Sequence, residues 1–115
     1  MKFTDTLKLN YEFRRLYSKG KSAVNPCVVV YTRRTGRSTN RIGFTVSTKL
    51  GHAVVRNRVR RRLREIYRLH ESEFVPGTDL VVVARTRAVT ASYQQLERAL
   101  LSACEKLGVI RKTAD

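Results

Sequence analysis

Acidic residues are scarce in this chain. Nine Asp and Glu stand against 24 Lys and Arg in 115 residues, a formal charge of +15. The nine (Asp5, Glu12, Glu65, Glu71, Glu73, Asp79, Glu97, Glu105, Asp115) are scattered, and only Glu71 and Glu73 lie close together. A two-metal nuclease needs several carboxylates converging on ions about 4 Å apart, and this distribution supplies no such set. Histidine, the usual acid–base partner of a metal-free ribonuclease, occurs twice, as His52 and His70. Cysteine also occurs only twice, as Cys27 and Cys104, far apart and in apolar surroundings. Zinc ligands come in closely spaced pairs, so these two read as small buried hydrophobes, and a reducing compartment disfavours a disulfide between them. No run of about 18 apolar residues exists to cross a bilayer. The N-terminus, MKFTDTLKLNYEF, carries charges where a signal peptide needs an apolar core. The chain is therefore expected to be cytoplasmic, and by length a single domain over residues 1–115.

What is abundant is arginine. Seven of the seventeen residues from Val54 to His70 are Arg56, Arg58, Arg60, Arg61, Arg62, Arg64 and Arg68, with Glu65 the only acid among them. Val55, Val59, Leu63, Ile66 and His70 recur in the same stretch at helical spacing. A helix there turns Asn57, Arg60, Arg61, Arg64 and Arg68 to the side opposite this apolar stripe and leaves Arg56, Arg58 and Arg62 on the flanks. Like charges three and four apart weaken a helix by a few tenths of a kcal/mol per pair. A solvated face normally mixes signs, so this one points to a polyanion that neutralises it. Guanidinium groups grip phosphate oxygens in pairs, which ammonium groups cannot. Nucleic acid fits better than an anionic membrane, because the basic helix has no Trp or Phe to anchor it in an interface.

The remaining pattern reads as α+β. A first helix is expected from Asn10 as N-cap to Gly20 as a left-handed stop, with Leu9, Phe13, Leu16 and Tyr17 on one face. Extended segments follow at Ser22–Val24 and Cys27–Arg33, separated by Pro26. The segment Arg41–Ser47 alternates Ile42, Phe44 and Val46 with Arg41, Gly43, Thr45 and Ser47. The seven-residue polar connection between the two longer strands suggests that they pair antiparallel. Asp79–Arg85 (DLVVVAR) is apolar almost throughout, as in a strand covered on both faces or central in a sheet. Ser92 and Gln95 have capping-box spacing before the stripe Tyr93, Leu96, Leu100, Ala103 and Leu107, and Gly108 ends that helix. A loose basic tail is expected from about residue 109.

Two further readings stay open on residue pattern alone. Phe13, Tyr17 and Tyr31 could line a groove in which single-stranded bases stack, or simply pack in the core. His70 falls on the apolar side of its helix and reads as a satisfied structural histidine, whereas His52, before the arginine helix, fits a phosphate contact or an ordinary loop.

The segment Lys49-Leu50-Gly51, continuing Ala53-Val54-Val55-Arg56-Asn57-Arg58-Val59-Arg60-Arg61, closely resembles the signature of the bacterial ribonuclease P protein subunit, whose helix carries an Arg-Asn-Arg core. The likeness extends to Phe13-Arg14-Arg15-Leu16-Tyr17 with Gly20, to Val28–Tyr31, to Arg41–Ser47 and to Asp79–Arg85, so it spans most of the chain from Leu7 to Leu107. It implies a two-layer α-β-β-β-α-β-α sandwich, similar to a ribosomal protein domain, with a left-handed β-α-β crossover. Handedness statistics alone would give the opposite hand. The resemblance also implies a function: binding a large catalytic RNA and helping it remove the 5′ leader from precursor tRNA, with Mg²⁺ held mainly by the RNA and no catalytic protein side chain. By position, Arg56, Asn57, Arg58, Arg60, Arg61 and Arg64 fall to the catalytic RNA, with Arg68 continuing that face, and Phe13, Tyr17 and Tyr31 fall to the leader. The protein is expected as a monomer within the ribonucleoprotein. Arg62 departs from the family, standing where many relatives have an aliphatic residue. It could reach around the RNA or lie along the core edge.

Composition and fold alone fit a ribosomal-type structural RNA-binding protein equally well. A DNA-binding regulator fits less well, since base readout favours a mixed set of side chains over uniform phosphate binders.

Overall fold

A computed structural model of the chain describes residues 4–7 and 10–111. Its elements run β1 (Thr4–Thr6), α1 (Asn10–Lys19), β2 (Lys21–Val24), β3 (Val28–Arg34), β4 (Asn40–Thr45), α2 (Ala53–His70), β5 (Thr78–Ala84), a short α3 (Arg87–Thr90) and α4 (Tyr93–Lys106). Leaving aside β1 and α3, this is the expected α-β-β-β-α-β-α order.

The five strands form one sheet in the order β1-β4-β5-β3-β2. The two longer strands do not pair with each other as their short connection suggests. β5 lies between them, antiparallel to β3 and parallel to β4. The physical reason lies in β5 itself. Leu80, Val82 and Ala84 face one side and Val81 and Val83 the other, and a strand apolar on both faces loses most water in the centre of a sheet. β4, α2 and β5 thereby make a parallel β-α-β crossover.

Two apolar clusters flank the sheet. On one face, Val28, Val30, Ile42, Leu80 and Val82 meet Val59, Leu63, Ile66 and Tyr67 of α2 and Leu96, Leu100, Ala103 and Cys104 of α4. On the other, Leu7 and Leu16 close over Val81, with Phe13 and Tyr31 beside them. Each fully buried aliphatic side chain contributes about 1.5–3 kcal/mol. Both cysteines are free and buried, as expected, and burial pushes the Cys104 thiol up to about 12.

Several ends differ from the sequence reading. Asn10 is the first residue of α1 rather than its cap. Gly20 is not left-handed. Glycine is needed there because a Cβ would sit 2.6 Å from the Leu16 carbonyl oxygen and 2.8 Å from that of Thr32. By contrast α4 has both the Ser92–Gln95 capping box and a left-handed Gly108 stop. Where a loose tail is predicted from about 109, Val109 and Ile110 are buried. Val109 accepts from the Val75 amide at 2.7 Å, and Ile110 forms a β-bridge with Phe74. Leu9 and residues 112–115 lie outside the described residues.

Candidate RNA interface

Packing of its apolar stripe fixes the orientation of α2. Val59, Leu63, Ile66 and Tyr67 are buried; Tyr67, which the stripe omits, packs against the Phe74 ring at 4.7 Å with a 50° tilt and shares a hydrogen bond with Thr4 at 2.7 Å. The opposite side presents Asn57, Arg61, Arg64 and Arg68 to solvent, with Arg60 partly covered. Among the described residues, the Arg61 and Arg64 guanidiniums make no hydrogen bond or ion pair. Arg60 donates to the side-chain Oδ1 of Asn57 at 3.1 Å, and Arg56 to the Gly51 backbone carbonyl at 3.2 Å. Arg68 differs: Glu65 occupies its fork at 2.6 and 3.1 Å. That hydrogen bond lowers the Glu65 pKa and raises that of Arg68. Both are solvent-exposed, so the pair is readily exchanged for another anion.

Arg58 reaches toward the Val89 carbonyl at 3.4 Å and Arg62 toward that of Ala91 at 3.5 Å, both long for hydrogen bonds. Arg62, whose role the sequence leaves open, therefore lies along the core edge beside α3. His52 occupies the N-cap position of α2 but makes no capping bond.

The aromatic trio gathers on the other face of the sheet, against one flank of α1. Tyr17 and Tyr31 meet edge to face at 4.9 Å, and the Tyr17 hydroxyl lies 3.3 Å from that of Thr45. The Phe13 ring abuts Gly43, where a Cβ would come within 2.6 Å of its Cε1 and Cζ. Phe13 and Tyr31 are half-buried and Tyr17 is exposed, so core packing and an open groove both hold here in part. Phe13 and Tyr17, with Asn10, Arg14 and Thr45, line a cavity of about 490 Å³, and Tyr31 borders it through its contact with Tyr17. Beyond it, Val24, Val29 and Val83 stand in register across three strands, with Val24 exposed and the other two half-buried. Together they form a shallow apolar floor.

His70 is satisfied, as expected. Its Nδ1 lies 2.5 Å from Glu73 and its Nε2 3.1 Å from Glu97 of α4. Burial alone would lower its pKa, but hydrogen bonds and charge from the two carboxylates outweigh this and raise it. A constellation not visible in the sequence lies beneath the other flank of α1. Arg41 of β4 donates to both Asp79 oxygens, at 2.9 and 2.6 Å, and also to Glu12. The pairing depends on β4 and β5 being neighbours in register, which only the strand order reveals. No group of three His, Cys, Asp or Glu able to hold a metal occurs among the described residues. Nor is any helix there long and apolar enough to cross a membrane.

Fold and site together define a small, basic α+β protein that presents a guanidinium-rich helix on one face and an aromatic groove on the other. The family model described as Ribonuclease P matches residues 1–108. A ribonuclease P protein component from Alkaliphilus oremlandii is 42% identical over 110 residues, covering 96% of each chain. The solved structure of the Staphylococcus aureus RNase P protein superposes with a TM-score of 0.85 at 34% identity, covering 92% of this chain and 97% of that one. That of Thermotoga maritima gives 0.78 at 30% identity, covering 85% and 93%. The chain belongs to the ribonuclease P protein component family.

Proposed function

We propose that this chain binds the catalytic RNA of ribonuclease P through α2 and the 5′ leader of precursor tRNA through the aromatic groove, assisting endonucleolytic removal of the leader. The observation that carries this reading is the division of α2, with one face locked into the core and the other offering Arg60, Arg61 and Arg64, which have no carboxylate partner among the described residues. Family membership supports it. Arg56, Asn57, Arg58, Arg60, Arg61 and Arg64 neutralise RNA phosphates, and Arg68 joins them by exchanging Glu65 for phosphate. Phe13, Tyr17 and Tyr31 stack leader bases, each stack worth about 1–3 kcal/mol. Mg²⁺ held mainly by the RNA would supply the activation of the attacking water. The protein acts as a monomer within a cytoplasmic ribonucleoprotein.

The test adds purified protein to its cognate RNA at low Mg²⁺ and follows precursor-tRNA cleavage. Stimulation is expected, together with preferential binding of precursor over mature tRNA. Absence of stimulation rejects the reading, and stimulation without that preference rejects the groove assignment.

A further inference from the structure

The flank of α1 away from the aromatic groove encloses a cavity of about 250 Å³ lined by Arg15, Arg33, Arg34, Arg37 and Arg41, with Tyr11, Glu12 and Asp79. Five guanidiniums face two carboxylates, and both carboxylates are already bound by Arg41. Arg15, Arg33, Arg34 and Arg37 have no carboxylate partner among the described residues. Five positive charges against two negative leave a net charge of +3 around one concavity, and an anion entering it relieves that repulsion. Planar guanidiniums fit phosphate oxygens in particular. Tyr11 is 53% exposed, and Arg15 stands 5.9 Å from its ring centroid, which leaves an aromatic surface beside the charges. Past Arg33 and Arg34 the basic lining continues into a neighbouring cavity with Lys19 and Lys21.

We propose that this pocket is a second RNA-backbone site, taking phosphodiester groups of a strand that does not touch α2. Its position is distinct from both surfaces described above. It lies on the sheet face opposite α2, and α1 separates it from the aromatic groove, with Arg14 on the groove side and its neighbour Arg15 on the pocket side. The Glu12–Arg41–Asp79 link ties α1 to β4 and β5 and so holds the pocket wall in place.

The test follows arginine Nε–Hε resonances of the full-length protein during titration with inorganic phosphate, with decauridylate RNA and with a polyglutamate peptide. Saturable shifts of Arg33, Arg34 and Arg37 are expected with phosphate and with RNA, and weaker ones with the peptide. Arg34 and Arg37 are exposed, so an Arg34→Ala, Arg37→Ala double variant keeps its fold, which circular dichroism checks. It should lose the Arg33 shift, bind the RNA several-fold more weakly, and reduce the slope of log K against log salt by roughly 0.7 for each phosphodiester no longer held. The Arg60→Ala, Arg64→Ala pair should leave the Arg33 shift intact, which separates failure of this site from failure of α2. Shifts confined to α2 and the aromatic groove would overturn the proposal. So would a response to phosphate but not RNA, or an equal response to polyglutamate.

Discussion

Gly43 shows how much of the groove depends on one missing methyl. The Phe13 ring rests where a Cβ would be, and only a strand residue without a side chain lets α1 lie that close. Gly43→Ala is expected to push the ring out of position. Discrimination of precursor from mature tRNA should fall several-fold while affinity for the catalytic RNA holds; equal losses in both assays would mean that the substitution disturbs the core instead. His70 supports a second prediction. A neutral imidazole donates from one nitrogen only, so two carboxylate partners favour the imidazolium, and the folded-state pKa is raised. A raised pKa gives stabilisation that is complete below about 6.5 and lost as pH climbs through the folded value. The melting temperature of the wild type should therefore decline from pH 6 to 8 relative to His70→Gln, and parallel profiles would count against the bridge. His70 was legible as a satisfied residue from its place on the apolar stripe. Its partner Glu97 was not, being 27 positions away on another helix.

Among the elements, α2 and α4 were readable because amphipathic periodicity and caps are local. The Ser92–Gln95 box is in place, with bonds of 2.9 and 3.1 Å. Ser92→Ala should destabilise the protein by about 1 kcal/mol in urea titration; no shift in midpoint would mean that packing alone holds the end of α4. Strand pairing was less readable, since it depends on which strand best tolerates burial on both faces. The short connection after β3 suggested a hairpin, but the apolar character of β5 decided the order. Gly20 carries the same lesson. The residue type marked the end of α1 correctly, but its cause is close approach of the Leu16 and Thr32 carbonyls rather than a left-handed turn. The Glu12–Arg41–Asp79 link and the arginine pocket depend on that strand order as well, and no spacing in the sequence announces them.

At the scale of the whole molecule, the chain carries a formal charge of +15 on 115 residues. Self-repulsion of that size disfavours the compact state, and anions that bind only the folded chain stabilise it by mass action. Sulfate should therefore raise Tm by more than chloride at equal ionic strength. Identical responses would show that screening alone acts.

The central claim is that the exposed arginines of α2 bind RNA phosphates directly. Affinity for the catalytic RNA, measured from low to moderate salt for the wild type and for an Arg60→Ala, Arg64→Ala variant, tests it most directly. The slope of log K against log salt should become shallower by roughly 0.9 for each phosphate no longer neutralised. Two parallel lines, with the variant's fold intact, would contradict the claim.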